Sequence, residues 1–194
     1  MEPRPNQSEI RFLNLAYNFF YDLYDEISAD EFWEKDVYYR FSKAKDCFLV
    51  YSELLDYEPI GWFLQALKKL RPPMEAELAN EYFLFLRNLI VHFPVFNTWD
   101  EVFFDKQLIN WSRPGQSIDR FLATYAGHQP VKYRVWNPKK KTMTYVSINL
   151  PAKYDNEKMF LKDLMPEKDG LIFSLSLMRQ VLDSQVESVR ESES

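Results

Sequence analysis

Along most of the first 126 residues, apolar side chains recur every three or four positions, the period of helices with one buried face. Ile10, Leu13, Tyr17, Phe20, Tyr21 and Tyr24 predict a helix from Ser8 to about Ile27. Ser28, Ala29 and Asp30 read as a break with a cap, since serine and aspartate are favoured at helix starts. A second helix is expected over roughly 30–57, with Phe32 or Trp33, Val37, Phe41, Ala44, Phe48, Tyr51 and Leu55 along its apolar side. Punctuation at 58–61 leads to a short helix ended by Pro72 and Pro73, because proline cannot continue the hydrogen-bond ladder. Pro73 suits the first turn of the next helix, expected over about 74–93 and closed by Pro94. "TWDEVFFDKQLINW" and "SIDRFLATYAG" read as two more short helices.

The period then changes. "VKYRVW" and "TMTYVSINL" are β-branched and aromatic runs joined by "NPKKK", which predicts a β-hairpin. "NEKMFLKDLM" predicts a short helix, and a last helix is expected over about 169–188, before a polar tail. No repeat and no linker stands out. The pattern therefore predicts a mainly α fold in a single domain, 1–194. A helical bundle would occupy 8–126, a β-hairpin insert 130–150 and C-terminal helices 156–188.

Composition sharpens this picture. The chain is 46% hydrophobic and 17% aromatic with only 4 glycines, which fits a large helical core and not a disordered chain. No run reaches the roughly 18 apolar residues of a membrane span, and the first ten residues hold no apolar signal core. A lone cysteine, Cys47, makes no internal disulfide, so a cytoplasmic setting without membrane attachment is expected. Cys47 lies between Ala44 and Phe48 and reads as a small core residue. Two histidines and one cysteine are too few for an ordinary zinc site; a carboxylate-rich magnesium or manganese site stays open, but no Asp/Glu cluster stands out, and no metal or cofactor is expected. The net charge of −5 is unlike a general nucleic-acid binder, so any such contact must be local or supplied by a partner.

The candidate chemistry lies in "EYFLFLRNLIVHFPVF", 81–96, where Arg87, Asn88 and His92 interrupt an apolar run. At about 100° per residue, Asn88 and His92 fall about 40° apart, one turn from each other. Glu81 and Glu77 share that side, Arg87 projects from its flank, and Phe83, Leu86, Leu89 and Ile90 cover the opposite side. An unpaired buried guanidinium is costly, so Arg87 needs a carboxylate, a phosphate or water. In one reading Arg87 pairs with Glu81, Glu53 or another carboxylate, and His92 simply ends a helix, where a cation is favoured. In the other, arginine holds a phosphoryl group in a forked contact and histidine moves a proton near neutral pH.

"LRNLIVHF" resembles the signature of the HEPN superfamily, the higher eukaryote and prokaryote nucleotide-binding domain. That signature is an arginine, a polar residue that is often asparagine, three or more residues, then histidine, late in a long helix of an all-α bundle. Here Arg87, Asn88 and His92 match it, after at least two expected helices. The resemblance covers one helix closely and 8–126 loosely. It implies a metal-independent endoribonuclease whose motif helices meet in a homodimer to form a composite site. Arg87, Asn88 and His92 would be its catalytic residues: His92 the acid/base, Arg87 the phosphate ligand, Asn88 the orienting residue, with Glu81 in support. RNA or a nucleotide, and an antitoxin or other protein, are the partners such proteins have. Toxin–antitoxin control and phage defence are their habitual settings. Some members instead act as non-catalytic nucleotide-binding or protein-interaction modules, and that alternative stays open. Some HEPN toxins carry a modifiable tyrosine two residues after the histidine, and here that position is Pro94.

Lys139, Lys140 and Lys141, at the expected hairpin tip, could bind substrate phosphate, aided by Lys132 and Arg134. The plainer reading is a solvated turn whose lysines protect a sheet edge. His128, near Tyr125, reads as an exposed loop residue; Asp100, Glu101 and Asp105 lack convergent metal spacing; and the tyrosines and phenylalanines of 17–24 read as core.

Overall fold

A computed structural model describes residues 6–58, 69, 81–83, 86–87, 90, 98–101, 103–105, 124–125, 131–137, 140–149 and 158–192. The described residues are mainly helical, as the apolar period predicts. The chain divides into two compact units, Met1–Pro73 with Leu175–Ser194, and Met74–Ser174. Among the described residues no helix is long and apolar enough to cross a membrane.

In the first unit, helix α1 runs Gln7–Ile27 and helix α2 runs Val37–Leu55. Asn6 starts α1 with a capping box. Its carboxamide oxygen accepts from the Ser8 and Glu9 amides at 2.9 and 3.0 Å, and the Glu9 carboxylate accepts from the Asn6 amide at 2.6 Å. Leu13, Tyr17, Phe20, Leu23, Tyr24 and Ile27 form the buried stripe of α1, facing Ala44, Cys47, Phe48, Tyr51 and Leu54 of α2. The Phe20 and Tyr51 rings lie 6.2 Å apart across that seam. Cys47 is fully buried, as the sequence suggests, and burial pushes its thiol pKa well up.

The expected helix over 30–57 is corrected at its start. Asp30–Glu34 is a 3₁₀ turn, and α2 begins only at Val37. Two local interactions cause the split. The Asp36 carboxylate accepts from the Tyr38 amide at 2.9 Å, which caps a new helix. Arg40 then reaches back to the carbonyls of Lys35 and Trp33 at 2.7 and 3.2 Å, satisfying acceptors at the end of the turn.

The second unit holds the strands. β1, Phe103–Asp105, pairs antiparallel with β4, Lys158–Phe160; β2, Val131–Asn137, pairs antiparallel with β3, Thr142–Ile148. The β2–β3 hairpin is the predicted one, with Asn137 opposite Thr142 and Val131 opposite Ile148. Two other expectations fail. Where "TWDEVFFDKQLINW" is described, at 98–101 and 103–105, the expected helix gives way to a 3₁₀ turn, Trp99–Glu101, and strand β1; its remaining residues lie outside the described ones. In "NEKMFLKDLM" the chain forms β4 and then a single helical turn α3, Leu161–Leu164. These strands stabilise each other across more than fifty residues of chain, so neither shows in its own local period.

The last helix, α4, Glu167–Ser192, starts slightly before and ends slightly after the expected span. It belongs to the second unit through Ser174 and to the first from Leu175. Its later part faces α1 within the first unit. Arg179 lies 4.8 Å from the Tyr24 ring centre and pairs with Asp183 at 3.3 Å, while the Tyr21 hydroxyl donates to Asp183 at 2.7 Å.

Candidate functional site

The segment around Arg87 is helical at residues 81–83, 86–87 and 90. Tyr82, Phe83, Leu86 and Ile90 are buried, and at about 100° per residue they occupy an arc of about 100°. Arg87, about 40° past one edge of that arc, and Glu81, about 100° past the other, are half-buried. Arg87 and Glu81 thus leave the axis about 120° apart, on different sides of the helical segment. Neither is without a partner. Asn88 and His92, the other two expected catalytic residues, lie outside the described residues, as do Glu77, Leu89, Pro94, His128 and Lys139.

The buried side of this segment is anchored by rings. Tyr82 is fully buried; its hydroxyl donates to the Met165 sulfur at 3.6 Å, and its ring lies 6.1 Å from Phe173 of α4. Phe173 also meets Tyr133 of β2 at 5.2 Å. One phenylalanine therefore touches both the helical segment and the hairpin. Burial holds the Tyr82 phenol pKa far above the usual range, so this hydroxyl stays protonated.

Met165 closes the arrangement. Its carbonyl accepts from the Trp99 indole at 2.7 Å, and its sulfur lies 3.2 Å from where a Gly170 β-carbon would stand. The Asn149 amide donates to the Leu164 carbonyl at 2.9 Å, tying the end of β3 to α3.

The hairpin has a clean inside and outside. Tyr133, Val146 and Ile148 are buried, whereas Lys132, Arg134, Met143, Tyr145 and Ser147 are exposed. Arg134 stands directly opposite Tyr145, and Lys132 opposite Ser147. Lys140 and Lys141 are exposed in the connecting turn, where Lys141 takes a left-handed φ of 50°. The structure thus brings Lys140 and Lys141 together with Lys132 and Arg134 on one short ribbon. Tyr145 and Met143 were not singled out from sequence. Their signal is alternation in β3: they share a strand face with Ser147 and not with Val146.

Among the described residues no group of three or more histidine, cysteine, aspartate or glutamate side chains could hold a metal ion. Asp100 and Glu101 lie in the 3₁₀ turn and are exposed. Compared with protein-family models, with curated proteins and with solved structures, the chain matches none.

Proposed function

We propose that this chain is an endoribonuclease of the HEPN type, working without metal as a homodimer whose two motif segments form one site. The observation that supports it is the spacing Arg87–Asn88–x–x–x–His92 on a segment whose described helical residues bury Tyr82, Phe83, Leu86 and Ile90.

In this reading His92 takes the proton of a ribose 2′-hydroxyl. The oxygen attacks the adjacent phosphorus, and the bond to the 5′-oxygen breaks. An imidazolium returns a proton to the departing oxygen, leaving a 2′,3′-cyclic phosphate and a 5′-hydroxyl. Arg87 forks onto the non-bridging oxygens as their charge grows, and Asn88 orients the phosphate. The setting is the cytoplasm, where Cys47 stays a reduced thiol. A protein inhibitor, as in toxin–antitoxin pairs, fits the same reading.

The test is RNA cleavage in EDTA by the wild-type chain and by His92→Ala. Loss of an acid–base group lowers the rate by about 10²- to 10⁴-fold. Cleavage at the wild-type rate would remove His92 from the mechanism. A dimer that binds nucleotide and cuts nothing would instead be a non-catalytic interaction module.

A further inference from the structure

The outer face of the β2–β3 hairpin carries a chemistry of its own. Lys132 and Arg134 project from β2, Met143 and Tyr145 from β3, and Lys140 and Lys141 from the turn; all six are exposed, Tyr145 at 63% and Met143 at 54%. Residues 120–154 hold seven lysines and arginines and no aspartate or glutamate. All 29 acidic residues lie elsewhere in a chain whose net charge is −5. The inner face is fixed by Tyr133 against Phe173, so the ribbon is a supported surface and not a free arm.

We infer that this face binds a single-stranded nucleic acid, with Lys132, Arg134, Lys140 and Lys141 neutralising phosphates and Tyr145, flanked by Met143, stacking on a base. Basic side chains interleaved with an exposed ring are what a sequence-tolerant strand site needs. The acidic remainder of the chain repels a polyanion everywhere else and so directs it to the hairpin. An anionic lipid surface fits less well. Membrane-seated elements bury their bulky apolar residues, whereas here the described turn residues are lysines and the ring stands back on the strand. As the substrate-holding surface of a ribonuclease, this inference rests on the reading above; as a strand-binding ribbon it stands alone.

The experiment measures anisotropy of a labelled oligothymidylate in EDTA over a salt series, with phosphatidylserine vesicles in parallel. Four phosphate contacts give a slope of log affinity against log salt of about −3. Lys140→Ala/Lys141→Ala makes it shallower by about 1.4. Tyr145→Ala weakens binding about five- to a hundred-fold, and Tyr145→Phe keeps it. A wild-type slope near zero overturns the inference without any variant. So does unchanged affinity in both Tyr145→Ala and the double lysine variant, or capture by vesicles with no oligonucleotide bound. Oligothymidylate has no 2′-hydroxyl, so it reports on the ribbon apart from cleavage. Hairpin variants that bind normally while RNA is cut would remove the ribbon and leave the nuclease. Binding as described with no RNA cut would do the reverse.

Discussion

Gly170, in the first turn of α4, sets two opposite effects against each other. Replacing a helical glycine by alanine stabilises by about 1 kcal/mol at an interior position, and by less in a first turn. Here the new methyl would stand 3.2 Å from the Met165 sulfur and 3.2 Å from two atoms of the Trp99 ring. Ordinary carbon contacts are about 3.5–4.0 Å, so one or both neighbours must retreat by a few tenths of an ångström. Neither is free to do so. The indole is held by its 2.7 Å bond to the Met165 carbonyl, and the sulfur accepts from the buried Tyr82 hydroxyl. Overpacking a fixed wall costs about 1–3 kcal/mol, which exceeds the propensity gain. Gly170→Ala is therefore expected to destabilise by about 1 kcal/mol, lowering Tm by about 2–4 °C in a chain of this size. Urea denaturation followed by circular dichroism measures it. In a Trp99→Phe background the two close ring atoms are gone and only the Met165 sulfur stays near, so the same substitution should cost less there than in the wild-type chain, with an interaction energy of about 1 kcal/mol. Gly170→Ala that stabilises the wild-type chain by the full propensity amount would refute the reasoning.

Two further outcomes are expected. The Tyr17 phenol is pushed up to about 12 from 10.0 by burial and then by the charge of Tyr57, and burial also raises Tyr51 and Tyr82. The unfolded chain ionises these groups near pH 10 and the folded chain does not, so their stabilising effect is complete below pH 10 and is lost as pH rises, through about 12 for Tyr17. Denaturation curves from about pH 9 to 12 should be flat to about pH 10 and then show stability falling by about 1.4 kcal/mol per pH unit for each fully buried phenol, less by one such share in Tyr51→Phe; a profile flat throughout would contradict this. Asn6→Ala removes the carboxamide half of the α1 capping box and should cost about 1 kcal/mol in urea titration, with no effect on nucleic-acid affinity.

Elements stabilised locally were legible from the residues alone. The α1 stripe, the hairpin and the last helix each carry their period within their own span, and each forms where that period predicts. The errors fall where distant or fine interactions decide. Three residues of β1 and three of β4 are too few to establish a period of two, and "VFFD" suits a helix as well as a strand. The start of α2 is misplaced from sequence because 28–30 reads as the cap, whereas the Asp36 carboxylate caps the helix and Arg40 reaches back to Lys35 and Trp33.

The site divides along the same line. The burial of Phe83, Leu86 and Ile90 follows from helical spacing and is found as such, because that property needs only one helix. The hairpin face needed the strand register as well. Net charge is a sum, and a sum of −5 hides a stretch of 35 residues without a single carboxylate. What a polyanion meets is not that sum but the field at the point of contact, which falls off within about 8–10 Å at physiological salt. On the β2–β3 ribbon that distance takes in Lys132, Arg134 and their cross-strand neighbours Ser147 and Tyr145, none of them acidic. An acidic chain can therefore present a locally cationic surface, and its own acidity then orients the approach of a strand instead of preventing it.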